Sequence, residues 1–157
     1  MPPSKALRQW EAAMTTIRQV LQRKGGDVTT IGPQETVFRA IELMAKRDIG
    51  ALVVVENHVP VGLLSERDYA REVILKGRSS RDTPIRDVMV AGFARVTPDQ
   101  TVEECMSIMT DKRIRHLPVM EDGRLVGLVS IGDLVKSVID HQKSTIEQLV
   151  GYVTGNS

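Results

Sequence analysis

A shift of 65 residues, the distance from Pro33 to Pro98, brings this chain into register with itself. Without a gap, Thr36 and Val37 fall on Thr101 and Val102, and Met44 falls on Met109. Ile49, Leu52 and Val54 then meet Ile114, Leu117 and Val119, and VGLLSERD (61–68) meets VGLVSIGD (126–133). An earlier pair, TIRQVL (16–21) and PIRDVM (84–89), repeats after a small change in spacing. Two apolar stretches can resemble each other by chance. An ungapped run that ends on the same Ser and Asp argues instead for one structural unit used twice.

Each copy predicts the order β-α-β-β-α. The β-branched segments Val28–Ile31 and Phe93–Val96 suit first strands. In the second copy a helix starts at Thr101, with Glu104 three positions on in a capping-box pattern. Val102, Cys105, Met106 and Met109 recur along it at helical spacing, as Val37, Ala40, Ile41 and Met44 do in the first copy. Strands Ala51–Val55 and Val61–Leu64 follow, matched by Leu117–Met120 and Leu125–Val129. Turn formers separate them, at Glu56-Asn57-His58 and at Glu121-Asp122-Gly123. A second helix opens after Ser65 and after Ser130. A unit of roughly 50 residues is marginal alone, so the fold class expected is α/β (α+β), with two such motifs packed around a pseudo-twofold axis.

Helical extensions flank the pair. Leu7, Trp10, Met14, Ile17 and Leu21 step by three and four, predicting an amphipathic helix that ends near Gly25-Gly26. Its apolar face reads as core or dimer contact rather than a membrane anchor. Leu134–Val153 continues helically, and KGRSSRDTP (76–84) reads as an exposed crossing. The expected organisation is an N-terminal extension over 1–14, a first motif over 15–75 and a linker over 76–84. A second motif covers 85–142, and a C-terminal helix and tail cover 143–157.

Composition narrows the function classes. A formal net charge of +1 gives no broad pull towards nucleic acid or anionic membrane, and aromatics at 3% leave few stacking platforms. No stretch approaches the roughly 20 apolar residues of a transmembrane helix. The N-terminus lacks a signal-peptide core. One cysteine, Cys105, excludes an intrachain disulfide and fits a reducing, cytoplasmic setting. His58, His116 and His141 lack metal-ligand spacing. There is no Walker lysine loop, no G-x-S-x-G elbow and no paired-carboxylate motif, so the chain reads as a non-enzyme.

Ser65 with Asp68, and Ser130 with Asp133, are the candidate binding residues. Serine at a helix start leaves backbone N–H groups at the positive end of the dipole, where a phosphate can sit. An Asp one turn on is a double acceptor suited to ribose hydroxyls. The plain alternative is that Ser-x-x-Asp only caps its own helix. The copies differ upstream: Arg113, Ile114, Arg115 and His116 stand where the first has Asp48, Ile49, Gly50 and Ala51. Arginine forks donate bidentately to oxyanions, while Arg113 and Arg115 also read as a solvated cationic edge. In the first copy Arg67, beside Asp68, can supply the charge instead.

A tandem β-α-β-β-α unit with a Gly between apolar residues and then Ser-x-x-Asp resembles the CBS-domain family, two motifs forming a CBS pair or Bateman module. The likeness covers roughly Thr15–Ile139; SERDYAREVILKGRSSRDTP and RIRHLPVM look like stand-alone pairs of bacteria and plant organelles. It implies AMP, ADP, ATP or NAD(H), ahead of S-adenosylmethionine, bound between motifs, and it implies homodimers. It further implies phosphate contacts at Arg115 and His116, and adenine contacts from the backbones of Thr30 with Ile31 and Arg95 with Val96. The ligand set implied is completed by Gly50, Ala51 and Gly132. The function expected is an adenine-nucleotide sensor acting in trans on a partner protein. A constitutive interaction scaffold with vestigial clefts, working through the Trp10 helix, is the alternative; a redox sensor at Cys105 is a third.

Overall fold

The computed structural model describes residues 15–153. Its elements are α1 (Ile17–Lys24), β1 (Thr30–Ile31), α2 (Val37–Arg47), β2 (Ala51–Glu56), β3 (Val59–Ser65) and α3 (Glu66–Tyr69). A π-turn (Ala70–Ile74) and a 3-10 turn (Ile85–Asp87) follow. The second copy supplies α4 (Val102–Lys112), β4 (His116–Glu121), β5 (Arg124–Ser130) and α5 (Ile131–Val153). Strand order is β1-β2-β3 in one sheet and β4-β5 in the other, so the mixed α/β content expected is present.

Both hairpins turn on two residues with positive φ, Asn57 (51°) with His58 (66°) and Asp122 (52°) with Gly123 (76°). That backbone suits the right-handed twist of the flanking strands. Both motif helices start on threonine: Thr36 Oγ1 accepts from Arg39 N at 3.2 Å and Thr101 Oγ1 from Glu104 N at 3.1 Å. Both end on a left-handed residue, Asp48 (φ 52°) and Arg113 (φ 55°).

β2 is apolar from Ala51 to Val55 because both its faces are covered there. Leu52 and Val54 join Ile31, Val37, Ala40, Met44, Leu64, Val73, Ile85 and Val88 in one cluster. Ala51 and Val53 join Leu63 and Phe93 in another, with Leu125 and Leu128 packed against it. Alternation is lost when a strand is buried on both sides.

The leading segments cross between copies. Thr16 bridges Thr101, and Pro84 bridges Thr36. Ile17 N donates to Gln100 O (2.9 Å), Arg18 N to Pro98 O (2.8 Å), and Val102 N to Thr15 O (3.0 Å). The counterpart set is Ile85 N to Glu35 O (2.9 Å), Arg86 N to Pro33 O (3.0 Å), and Val37 N to Thr83 O (2.9 Å). Each copy's leader is therefore hydrogen-bonded to the helix start of the other copy. The compact units consequently do not follow the copies. Of the described residues, one unit holds 15–25, Val96–Leu117 and 129–153; the other holds Gly26–Arg95 and Pro118–Leu128. Within the first, α1 and α4 both pack on α5.

Three expectations need correction. The helix expected through Leu7, Trp10, Met14, Ile17 and Leu21 is not continuous. Thr16 is extended (φ −91°, ψ 161°) and closes a capping box with Gln19, so α1 starts afresh at Ile17, while Leu7, Trp10 and Met14 lie outside the described residues. Phe93–Val96 forms no strand in either sheet. Phe93 is instead buried against the first copy's sheet, with the Arg95 guanidinium 4.8 Å from its ring centroid. The linker is exposed over 76–79 but docked at its end: Thr83 is buried, Thr83 Oγ1 donates to Ser79 O (2.6 Å), and Phe38 N donates to Ser80 O (2.9 Å). The helix expected to open after Ser130 and to continue over Leu134–Val153 is α5, unbroken from Ile131 to Val153.

Candidate functional site

Where β3 ends, Ser65 lies opposite Ala51, the first residue of β2. Glu66 N donates to Gly50 O at 3.0 Å, which fastens the start of α3 to the chain entering β2. The second copy repeats this bond as Ile131 N to Arg115 O at 2.8 Å. The pairing thus gathers Gly50, Ala51, Ser65, Arg67 and Asp68 at one strand end of the first copy. Arg115, His116, Ser130, Gly132 and Asp133 gather at the equivalent end of the second. Arg113 stands two residues earlier, exposed at the C-cap of α4.

Each Ser-x-x-Asp is a working cap. Asp68 N donates to Ser65 Oγ (3.2 Å), and both Ser65 N and Ser65 Oγ donate to Asp68 Oδ2 (2.8 Å each). In the second copy Asp133 N donates to Ser130 Oγ (3.1 Å) and Ser130 N to Asp133 Oδ2 (2.8 Å). The helix start is therefore less open than serine alone suggests. Of its first three amides, one goes to the strand entrance and one to the serine hydroxyl. Arg67 N and Gly132 N are left without an acceptor among the described residues. In both copies the hydrogen bonds to the carboxylate fall on Oδ2.

The two carboxylates differ in surroundings. Lys24 Nζ, at the last turn of α1, lies 2.5 Å from Asp133 Oδ2. Burial pushes the Asp133 carboxyl up, but the bonds from Lys24 and Ser130 outweigh it and hold the group below the usual carboxylate range. Lys24 belongs to a leader 109 residues from Asp133 in sequence, so no local pattern marks it as that carboxylate's partner.

Two spaces border these residues. Beside Asp133 is a recess of about 150 Å³, also lined by Arg23, Lys24, Lys136, Ser137 and Asp140. In the other unit a groove of about 610 Å³ is lined by Thr30, Ile31, Glu35, Arg39, Asn57 and His58 among others. Ser65 and Asp68 do not line that groove, so Thr30 and Ile31 and the first serine–aspartate pair do not share it. Arg95 is exposed over Phe93, and Val96 is buried.

Among the described residues no three His, Cys, Asp or Glu converge on a metal position, and no helix is long and apolar enough to cross a membrane. Cys105 is fully buried, and burial, then Glu104, push its thiol up to about 11. A reactive thiolate needs the opposite environment.

The chain is similar to known proteins in both sequence and fold. The family model for the CBS domain matches twice, over residues 15–75 and 85–140. The mitochondrial CBS domain-containing protein CBSX3 of Arabidopsis thaliana is 39% identical over 150 residues, covering 90% of this chain and 73% of its own. YhcV of Bacillus subtilis, also a CBS domain-containing protein, is 32% identical over 74% of this chain and 83% of its own. A solved structure of a putative signal-transduction protein with CBS domains from Burkholderia ambifaria superposes with a TM-score of 0.78. It is 47% identical and covers 80% of this chain and 95% of its own. The CBS pair of MJ0100, solved with 5′-methylthioadenosine and S-adenosyl-L-methionine, shares the fold (TM-score 0.70) at 20% identity, covering 80% of this chain and 96% of its own.

Proposed function

This chain belongs to the CBS-domain family as a tandem pair, and from that premise we propose that it is a regulatory module that binds an adenine nucleotide and transmits the bound state to a partner protein. The ligands it would take are AMP, ADP, ATP or NAD(H), with S-adenosylmethionine ranked behind them. The observation that carries this reading is the duplicated strand-end arrangement. In each copy the cap engages Oδ2 of the Asp and not Oδ1, at a helix start whose second amide belongs to Arg67 or Gly132. A carboxylate oxygen outside its own cap suits a ribose hydroxyl as donor. The basic Arg113, Arg115 and His116 make the second copy the stronger candidate for phosphate.

The chain would act without catalysis and in a reducing, cytoplasmic setting, as its buried single cysteine suggests. It would work as a homodimer. Val135, Ile139, Ile146, Leu149 and Val150 leave an apolar line exposed along α5, for which a second copy is the proposed cover. For signalling, the ligand must bind two states of the module with different affinity. Isothermal titration of the full chain with AMP, ATP, NADH and S-adenosylmethionine tests the reading. Saturable heat with an adenine nucleotide supports it, and no heat or thermal shift with any of the four overturns it.

One observation favours the scaffold reading: both aspartates are already engaged as helix caps and need no ligand to be satisfied. Partner capture separates the two. A scaffold would hold its partner equally with Asp68→Ala and Asp133→Ala in place, whereas a sensor would lose its nucleotide response.

A further inference from the structure

The recess beside Asp133 has a volume of about 150 Å³. That is small against the roughly 300–1,000 Å³ of a pocket that engulfs a drug-sized ligand, so it cannot be a whole nucleoside site. Its charge is distinctive: Arg23, Lys24 and Lys136 face it together with Asp133 and Asp140. Lys24 is bonded to Asp133, and Arg23 reaches Asp140 only at 4.0 Å.

A second observation bears on the same space. Ser137 is 6% exposed, its hydroxyl makes no hydrogen bond among the described residues, and it lines this recess as well as a second one bordered by Thr15, Val102 and His141. A buried hydroxyl without a partner is unfavourable unless a guest supplies one.

We propose that this recess is an oxyanion pocket that takes a phosphate group, held by Lys24, Lys136 and the Ser137 hydroxyl. The proposal rests on the nucleotide-binding reading above for the identity of the guest, a nucleotide whose ribose meets Asp133. It also resolves an electrostatic difficulty of that reading. A bare Asp133 carboxylate would repel a phosphate a few ångströms away. An ammonium has three donors and no acceptor, so Lys24 neutralises the carboxylate and can bridge it to a phosphate oxygen. Lys24 would then be a binding residue that discriminates phosphorylated adenosines from uncharged or cationic ones.

The phosphate could arrive on the nucleotide or free, and titration of the full chain with ADP, adenosine and inorganic pyrophosphate distinguishes the two. ADP should bind at least roughly tenfold more tightly than adenosine, the worth of one or two hydrogen bonds to an ionised group. Lys24→Met should shrink that ADP-to-adenosine ratio several-fold, Lys24→Arg should keep most of it, and Ser137→Ala should reduce it in the same direction. Equal weakening of ADP and adenosine by Lys24→Met, or no weakening, overturns the pocket. If Lys24→Met does not fold, as judged by its melting curve, Lys136→Met is read by the same ADP-to-adenosine ratio. ADP binding that ignores Lys24 removes the pocket and keeps the nucleotide reading. Pyrophosphate binding that needs Lys24, without binding of any adenine compound, keeps the pocket and removes the nucleotide reading. Binding of neither removes both.

Discussion

Lys24 and Asp133, 109 residues apart in the chain, meet Nζ to Oδ2 at 2.5 Å, and this contact joins the last turn of α1 to the first turn of α5. Both side chains remain partly exposed, at 37% and 25%. The pair is therefore partly screened, and its contribution to stability belongs with surface ion pairs, about 0–1 kcal/mol.

Its pH dependence has a definite sign. The folded Asp133 carboxyl sits below its ordinary value, so the stability it contributes is present above the unfolded carboxylate value of about 3.9 and is lost as pH falls through the folded one. Asp133→Asn should make the acid limb of the thermal melting profile shallower than in the wild-type chain. An unchanged acid limb would deny the pair any role.

The two caps should prove worth similar amounts. Asp68→Ala leaves Ser65 N and Oγ without their acceptor, and Ser65→Ala removes the acceptor for Asp68 N. Each substitution should cost about 0.5–2 kcal/mol in urea unfolding. On the nucleotide reading, Asp68→Ala and Asp133→Ala should each also weaken ligand binding at their own site about ten- to a hundredfold.

Gly62 faces Val54 across the β2–β3 ladder, where the register shifts. A Cβ at Gly62 would run into Met89, with Cγ at 2.8 Å and Cβ at 3.2 Å. Gly62→Ala should destabilise by about 1–3 kcal/mol, the range for overpacking. Because the obstruction is a single side chain, Met89→Ala should relieve part of it. A double-mutant cycle that shows strict additivity would place the strain elsewhere.

Cys105 should resist modification. Its thiol, pushed up to about 11, stays protonated at pH 8, and a disulfide reagent should react only with the unfolded chain. A folded value raised from 9.0 means that the stability present at neutral pH declines between pH 9 and about 11, by on the order of 3 kcal/mol at full effect. Cys105→Ala should flatten that alkaline decline. Rapid labelling of the folded chain would revive a redox role.

Much of this was legible in the 65-residue repeat. Its hairpins, both threonine-capped helices and both serine–aspartate starts lie where turn chemistry and periodicity put them, because each depends on residues close in sequence. What escaped depends on distant partners. Val28–Ile31 pairs with β2 only through Thr30 and Ile31, and Phe93–Val96 has the right residues for a strand but buries Phe93 on the other copy's sheet instead. TIRQVL and PIRDVM are alike in sequence, yet one opens an α-helix and the other a 3-10 turn. Thr16 and Gln19 close a reciprocal cap; Pro84 has no hydroxyl to do so and its segment makes no side-chain cap. Lys24 was invisible for the same reason: nothing local marks a lysine as the counter-ion of Asp133.

The exchanged leaders have a consequence for chains with half this length. A polypeptide carrying one copy would start with a leader whose hydrogen-bonding surface lies on a second copy, and would leave its own helix start bare. Residues 15–75 expressed alone should show no cooperative melt, and supplying 76–157 as a separate chain should restore one. A single-copy ancestor of such a fold would thus have been obliged to associate by trading its first segment with a twin, and gene fusion would then have turned that reciprocal exchange into an internal one.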